Sequence, residues 1–584
     1  MRLLRSAKFT AFFSNRLKYM IRIAITFVIM GVLGACKRHE APDYVLFNAV
    51  VFTADEATPE AEAIAIKGDR IVAIGSNEAI RALGGTRTQW HDMEGAFVMP
   101  GLIEGHGHFG GLGKSLMSLN LLHTRSWGEI IAATAQKAGQ TPAGAWIEGR
   151  GWHQEKWNAS PGPTVNGYPY HDALSVATPH HPVVLYHASG HGLMANEAAM
   201  RAAGISSETP DPAGGRIVRG PGGRLTGVFE ENAMDLITRH VKAWREQRSD
   251  AEKKQEQERI IRLAAGECLR YGITSFQDAG SSLQELATYR AAAEQGKLGV
   301  RLWAMIGQPS PGARAEIARD YPLVGAGKGF FTCRAVKAYF DGALGSYGAW
   351  LLESYQDKPG FTGQNTTPTD SIAALAALCK DLGLQLCVHA IGDRANREIL
   401  DLYARFEPRD LRWRIEHAQH LHPNDLARFA PLGIIASYQA IHCVSDAPFV
   451  PKRLGEWRTR TGAYAWRSMI DSGARIANGT DVPVEEINPF ACIYAAVTRR
   501  HPARPQDPSF FPDQAMTRRE ALLSYTLWNA YAAFEENVKG SISPGKYADL
   551  VVLDRDLLRC ADSDILGAKV KAVWIGGQMR KGAD

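Results

Sequence analysis

Eight short apolar segments recur along the middle of the chain, and this recurrence is the strongest constraint on its fold. The predicted strands are residues 97–103, 272–278, 300–306, 335–341, 384–389, 412–417, 433–438 and 475–481. Helical segments such as 371–382 and 394–403 lie between them. Strands that alternate with helices pair in parallel, and eight such units form a (β/α)8 TIM barrel. An open doubly wound sheet is the alternative, but no Gly-x-Gly-x-x-Gly follows a strand to indicate a dinucleotide site.

Short β segments also lie at both ends of the chain, outside the alternating region. They are residues 44–53, 63–67, 70–74, 548–553 and 570–575. The pair Gly68-Asp69 between two of these segments is typical of a hairpin turn. We therefore predict a small β-sandwich domain built from residues 37–98 and 535–584, which keeps the termini close together. The TIM-barrel domain would span residues 99–534.

An insertion of about residues 110–270 separates the first two barrel strands. At the catalytic face of a barrel, such a segment would form a lid or a wall over the site. His191, between two glycines, is a candidate to contact the substrate, and a hydrogen-bonded role within the insertion is an equal alternative. Trp152 and Trp157 are candidates to line an apolar pocket, with a place in the core as the equal alternative.

The N-terminus carries a targeting signal. Residues 21–35 are apolar, follow basic residues and are too short for a comfortable transmembrane helix. They end in Leu33-Gly34-Ala35-Cys36, which resembles a bacterial lipobox, where the cysteine becomes lipid-modified. We predict that residues 1–36 form a lipoprotein signal peptide ending at Cys36, with Met20 as an alternative start. The body would then be lipid-anchored in the bacterial cell envelope and face the periplasm; an uncleaved membrane anchor is the alternative.

Charge and cysteine content narrow the possible partners. The chain has 66 basic and 61 acidic residues, a net charge of +5, and no strong basic patch, which argues against nucleic acid binding. Apart from Cys36, the cysteines are scattered without Cys-x-x-Cys pairs, unlike a structural zinc site or a disulfide framework. The expected partners are a small-molecule substrate and a membrane reached through the lipid anchor. Assembly into a homo-oligomer is left open.

Six side chains with metal-binding chemistry fall at or near the ends of predicted barrel strands. In a strand, residues two apart point to the same side, so the two histidines of the first strand are spaced to hold one metal ion. Barrel enzymes place their chemistry at the carboxyl ends of the strands. Each residue alone could be a core or solvated side chain, but the complete set favours a metal site. The set is His106, His108, Lys337, His389, His417 and Asp481.

The sequence around these residues resembles the sequences of the amidohydrolase superfamily. The segments that carry the resemblance are 99–108, 336–346, 389–395, 414–419 and 479–484. Together they are similar to amidohydrolase family 3, the branch that includes N-substituted formamide deformylases. This resemblance implies that the TIM barrel is a catalytic domain of the metal-dependent hydrolase type. The similarity runs from about Tyr44 to Trp574 and includes the insertion.

The resemblance implies a role for each member of the set. His106 and His108 would bind the more buried of two divalent metal ions, expected to be zinc, together with Asp481. His389 and His417 would bind the second ion, and the lysine of the fourth strand would bridge the two ions as a carbamate. A metal-activated hydroxide would attack the substrate carbonyl. Asp481 would move a proton from the water to the leaving amine.

One position departs from the family pattern and bears on the substrate. After Gly345-Ser346 many relatives carry an arginine, whereas this chain has Tyr347, so we predict a less charged substrate with Tyr347 among its contacts. The expected activity is hydrolysis of the C–N bond of an amide or an N-substituted formamide, but not of peptide bonds. Hydrolysis of ester, lactone or cyclic amide bonds is the alternative. A non-catalytic ligand-binding lipoprotein is a further alternative, which the loss of a ligand would have favoured.

Overall fold

A computed structural model of the protein describes residues 40–581, and the predicted lipid-carrying Cys36 lies outside that range. Its centre is a sheet of eight parallel strands, each paired with the next along the chain. The predicted TIM barrel is confirmed, but its predicted first strand, residues 97–103, is wrong, because Phe97–Pro100 belongs to the terminal β domain and the barrel strand begins at Leu102. The strands are Leu102–Gly107, Ile273–Ser281, Arg301–Ile306, Phe331–Tyr339, Gln385–Ala390, Arg414–His417, Ile435–Tyr438 and Arg475–Asn478. A short strand, Leu323–Gly325, pairs antiparallel with the fourth of them.

A buried side chain joins the first and last barrel strands. The Asn529 amide nitrogen donates to the carbonyls of Ile103 and Asn478, each at 2.7 Å, and its oxygen accepts from Asn478 N–H at 3.0 Å. Gly105 permits this approach, because a Cβ there would lie 2.4 Å from the Asn478 carbonyl oxygen. The end of the last strand is thereby tied to the beginning of the first strand.

Helices follow the barrel strands and pack their apolar faces onto them. Helix Thr369–Leu382, for example, buries Ile372, Ala376 and Cys379, which share one face at helical spacing. Several helices begin with the capping box that their sequences predict, as at Ser249 with Glu252. The helices from residue 250 onward are Asp250–Arg270, Leu283–Glu294, Arg314–Asp320, Ala326–Gly329, Thr369–Leu382, Asp393–Ala404, Pro423–Leu426, Phe429–Leu432, Ala440–Asp446, Val450–Leu454, Glu456–Gly462, Trp466–Asp471, Pro489–Thr498, Arg518–Ser524 and Leu527–Ala532.

The β-sandwich is built from both ends of the chain, as predicted. Strand Phe97–Pro100 pairs antiparallel with Leu550–Leu553, so the two ends share one sheet. One sheet contains Tyr44–Phe47, Ala63–Lys67, Arg70–Gly75 and Gln89–Asp92, with helix Asn77–Arg81 beside it. The other sheet contains Val50–Phe52, Glu60–Ala61, Phe97–Pro100, Leu550–Leu553, Val570–Ile575 and Gln578–Lys581. Residues of both sheets share one apolar cluster, which includes Ile64 and Trp574.

The prediction of one continuous strand over residues 44–53 is wrong. The segment divides into Tyr44–Phe47 and Val50–Phe52, which belong to different sheets. Asn48 between them has a φ of 56°, a left-handed conformation that ends one strand and redirects the chain. The hairpin at Gly68 does form, and its strands Ala63–Lys67 and Arg70–Gly75 pair antiparallel.

The insertion folds around a sheet of its own. Its strands are Leu119–Asn120, Ile147–Trp152, Val183–His187, Gly192–Ala195, Gly215–Arg219 and Leu225–Glu231, with a separate hairpin of Thr164–Val165 and Tyr168–Pro169. Its helices are Trp127–Ala138, Asp172–Ala177, Glu197–Ala202 and Asp235–Glu246. Within residues 40–581, no helix combines the length and the apolar character required to cross a membrane.

Candidate metal centre

The two histidines of the first barrel strand converge on one carboxylate. His106 lies within the strand, and His108 follows it at the start of helix Phe109–Ser115. Their Nε2 atoms lie 3.5 and 3.2 Å from Oδ1 of Asp481. Asp481 stands beyond the last strand, and its backbone N–H donates to the His106 carbonyl at 2.8 Å. Joining the first and last strands thus brings together residues that are far apart in the sequence.

His389 and His417 complete a second group beside the first. Their strands are neighbours, with Ala390 opposite His417 in the parallel register. The rings of His389 and His417 have centroids 4.5 Å apart, and the His417 ring lies 4.8 Å from that of His106. His106, His417 and Asp481 each place one possible ligand atom within 4.8 Å of the others. The two predicted ligand groups are therefore contiguous.

Lys337 lies between these groups. Its residue is 1% exposed, and it lines the same cavity as His108, His389 and Asp481. In the part of the chain that the structure describes, its ammonium has no hydrogen-bond or ion-pair partner, and Nζ lies 4.4 Å from the centre of the Tyr339 ring. A buried ammonium without a direct ion-pair partner is costly. The structure thus brings all six predicted side chains to one place.

The chemistry of these atoms fits a divalent metal ion. His106 Nε2, His389 Nε2 and Asp481 Oδ1 are buried and have no hydrogen-bond partner among residues 40–581. Burial lowers the pKa of the His106, His389 and His417 side chains, which keeps them in the neutral form that binds metal. Burial opposes ionisation of Asp481, but the surrounding imidazoles hold its pKa well below the usual value. Neutral imidazoles with a carboxylate form a typical zinc donor set.

Two side chains that the sequence did not single out orient the ligands. Glu416 is hydrogen-bonded to His106 Nδ1, and the Gln439 side-chain oxygen lies 2.6 Å from His417 Nδ1. Each contact leaves Nε2 of the histidine as the ligand atom. Burial would raise the pKa of Glu416, but the buried guanidinium of Arg414 beside it lowers that pKa well below its ordinary value. The sequence signal for this pair was an arginine and a glutamate two residues apart in a predicted barrel strand.

Glu416→Gln should lower the metal affinity by about 10- to 100-fold, as loss of a ligand-orienting carboxylate does. The amide still accepts a hydrogen bond, but it removes the negative charge that sets the orientation and basicity of His106. The measurement is the metal dissociation constant by chelator competition, together with thermal unfolding. Asp549→Asn is the matched control, because Asp549 is another buried carboxylate paired with an arginine, Arg301. It should destabilise the fold without changing metal affinity; equal affinity losses in both variants would contradict an orienting role.

Two further buried carboxylates hold the loops that carry the ligands. Glu104 Oε1 accepts from the backbone N–H of Thr480 at 2.6 Å, and burial raises the pKa of Glu104 to about 8. Asp341 accepts from three backbone N–H groups, including those of Ile391 and Gly392, and burial raises its pKa to about 7. Asp341 Oδ1 also lies 3.6 Å from Nε2 of His389. Both carboxylates lie within the segments that resemble the amidohydrolase superfamily. Their residue type alone did not indicate that they hold these loops.

The insertion contributes His191 to the same region. The His191 ring centroid lies 4.9 Å from that of His389, and its Nδ1 lies 2.8 Å from Oε2 of Glu231. Burial would lower the pKa of His191, but the Glu231 carboxylate outweighs burial and raises it. Glu231 has a φ of 50°, an uncommon backbone conformation for this residue type. The insertion is therefore a wall of the site.

The other three predicted contacts, Trp152, Trp157 and Tyr347, lie elsewhere, and Trp157 packs against Trp152 in the insertion with ring centroids 6.1 Å apart. Trp152 is fully buried in the apolar core of the insertion, and its indole N–H donates to the Leu185 carbonyl at 2.8 Å. Tyr347 donates to Asp357 at 3.2 Å, and its ring lies 4.1 Å from the Arg453 guanidinium carbon. None of these side chains lines the two cavities that adjoin the ligand set.

Those two cavities differ in size. The wider one, about 700 Å³, contains His108, Lys337 and Glu231 in its lining, and the narrower one measures about 50 Å³. A groove of about 1590 Å³ on the helical surface is larger, but none of the six predicted ligands lines it. The candidate site is therefore identified by the predicted ligands in its lining and not by the volume of its cavity.

A barrel with buried, unpartnered ligand atoms at the carboxyl ends of its strands has the architecture of a metal-dependent hydrolase. Comparison with known families agrees with this class. The chain belongs to the amidohydrolase family, whose sequence profile matches residues 89–580.

Relatives match along most of their length. The chain is 32% identical to Protein LONG AFTER FAR-RED 3 of Arabidopsis thaliana, over 92% of this chain and 91% of that protein. It is 27% identical to an N-substituted formamide deformylase of Arthrobacter pascens, over 92% and 98% of the two chains. The crystal structure of an uncharacterized metal-dependent hydrolase from Pyrococcus horikoshii superposes with a TM-score of 0.70 at 23% identity, covering 89% and 99%. This last likeness supports the fold.

Proposed function

We propose that the protein hydrolyses the C–N bond of an amide or an N-substituted formamide with two divalent metal ions. The observation that carries the proposal is the set of buried ligand atoms without partners, His106 Nε2, His389 Nε2 and Asp481 Oδ1, beside an unpaired lysine. Buried polar atoms are normally hydrogen-bonded, and their concentration at one point indicates a missing ligand.

Different side chains at this site would bind the metal ions, transfer the proton and bound the substrate space. His106 and His108 with Asp481 would hold one ion, and His389 with His417 would hold the other. Bound divalent ions lower the pKa of water and polarise a carbonyl oxygen. Asp481, ionised and facing both histidine pairs, is placed to accept a proton from water and deliver it to the leaving nitrogen. The His191–Glu231 pair bounds the space where the substrate would lie.

Lys337 would bridge the ions after reaction with carbon dioxide. The carbamate carries a negative charge and two oxygens, so it removes the cost of a buried ammonium and supplies a ligand to each ion. The position of Lys337 supports this, since it lines the cavity together with ligands from both groups.

The preference for C–N bonds rests on family membership and on the name of one relative. The Arthrobacter pascens protein is an N-substituted formamide deformylase, and the alignment covers nearly all of it. The same kind of site would also serve esters, lactones and cyclic amides, which remain the second candidate.

A hydrolysis screen tests the proposal. Zinc-loaded protein is offered N-formyl, N-acyl and cyclic amides, each beside an ester or lactone of the same shape, and product amine or alcohol is measured. We expect turnover of open-chain amides or formamides, its loss on chelation and its return with metal. Turnover of the esters or lactones alone would reject C–N hydrolysis in favour of the second candidate. Turnover of no compound by metal-replete protein would favour a binding role.

A further inference from the structure

The narrow cavity beside the metal ligands has features that the hydrolytic steps do not use. It adjoins the wider cavity at the ligand set, so a substrate with its carbonyl at this point would extend one arm into each. Its volume, about 50 Å³, leaves room for only a few non-hydrogen atoms. The residues lining both cavities are Ser189, His191, His389, His417, Asp481 and Val484.

His442 offers a free hydrogen-bond donor in this cavity. It is 6% exposed, lies on helix Ala440–Asp446 and is nearly parallel to the His417 ring at 6.3 Å between centroids. The Gln419 amide nitrogen donates to His442 Nδ1 at 3.1 Å, so the proton of the neutral ring lies on Nε2. That Nε2 is buried and has no hydrogen-bond partner in the described part of the chain. A ligand oxygen that accepts from this Nε2 would satisfy it.

Neighbouring charges decide which acceptor is suitable. Lys156 is paired with Glu485 at 3.1 Å and donates to Ser445 at 2.7 Å, so its charge is already compensated. Asp446, also in the lining, accepts from the Tyr464 hydroxyl at 2.6 Å. A carboxylate ligand would face the Asp446 and Glu485 carboxylates. An ammonium ligand has no lone pair to accept from His442, so an uncharged oxygen fits best.

The wall of the narrow cavity is suited to a short carbon linker. The rings of His153 and Phe449 are stacked in the lining, with centroids 5.4 Å apart, and Leu344 lies beside them. Gly345 keeps the space open, because a Cβ there would stand 3.3 Å from the Phe449 ring. One or two methylene groups can therefore contact this wall on the way to His442.

We propose that the narrow cavity is a subsite for a short, uncharged substrate arm that ends in a hydroxyl or carbonyl oxygen, which accepts from His442 Nε2. The larger substrate arm occupies the wider cavity. The assignment of these arms to an amide rests on the proposed function, whereas recognition by His442 does not require hydrolysis.

Ketone analogues test the subsite without turnover. In these ketones a methylene group replaces the amide nitrogen of N-benzylglycolamide or of N-benzylpropionamide, so the pair differs only in a hydroxyl against a methyl group. Because a ketone has no nitrogen side, the pair tests the short arm in either orientation. Calorimetry on the metal-loaded full chain should show that the hydroxyl ketone binds about 10- to 100-fold more tightly than the ketone that carries the methyl group. This is the difference expected when a buried donor, His442 Nε2, is hydrogen-bonded in one complex and unpaired in the other.

Variants assign that preference to His442. His442→Phe keeps a ring but removes the donor, and should bring the two dissociation constants within about twofold of each other, because no donor remains to discriminate. His420→Phe is the matched control, since both ring nitrogens of His420 are also buried without partners but lie outside this cavity. It should keep the full preference. Equal affinities in the unchanged protein, or a preference that survives His442→Phe, would overturn the subsite. A failed hydrolysis screen would overturn only the proposed function.

Discussion

Asp481→Asn is expected to lower kcat/KM for an amide substrate by about 1,000-fold or more, the scale of a lost proton-transfer group at a catalytic site. Asparagine has nearly the same size, but it cannot be an anionic ligand or accept a proton. The Asp481 carboxylate lies 3.5 Å from Nε2 of His106 and 3.2 Å from Nε2 of His108, so the substitution removes the anion from the centre of the histidine group. Steady-state kinetics with metal content by mass spectrometry measures the effect.

Asp425→Asn is the matched control for this loss. Asp425 is equally buried, but it pairs with Arg397 and Arg428, away from the ligand set. The control should unfold at a lower temperature and keep nearly full activity in the folded protein. If the Asp481 variant retained more than about a tenth of the activity, well above what loss of a general base allows, the assigned proton transfer would be wrong.

Lys337→Ala is expected to abolish detectable turnover and to reduce bound metal from about two ions per chain, as a two-metal site requires. Alanine removes the carbamate and leaves the two histidine groups without a bridging anion. A short carboxylic acid such as propionate should restore part of the activity, because it supplies two oxygens in the space that the side chain leaves. Lys337→Arg keeps a positive charge and should be as inactive as the alanine variant.

Lys539→Ala provides the comparison for Lys337. Lys539 is also a buried lysine, but it donates to Ser275 Oγ at 2.6 Å and pairs with Glu535. Its loss should lower stability while the folded protein keeps its full metal content. Fully active parent protein with one ion, together with substantial activity in Lys337→Ala, would argue against the bridged pair. A single-metal site on His106, His108 and Asp481 would then replace it.

Local sequence patterns determined the barrel and the positions of its candidate metal ligands. Most barrel strands lie in short, largely apolar segments that alternate with helices, so their existence follows from neighbouring residues. The residue at the carboxyl end of each strand then lies at one face of the barrel whatever its packing details, because parallel strands share a direction. This is why His106, His389 and His417 were predictable from a single sequence.

Only the tertiary structure decided which side chains support and surround those ligands. Glu416 reaches His106 across 310 positions of sequence, and Asn529 joins strands that no local pattern connects. The Trp152 indole packs in the core of the insertion because the sheet there folds over it, and Tyr347 packs with Arg453. His442 resembles any buried histidine until its unpartnered Nε2 is seen beside the narrow cavity. Such roles depend on distances between remote segments, which the folded chain sets and composition does not.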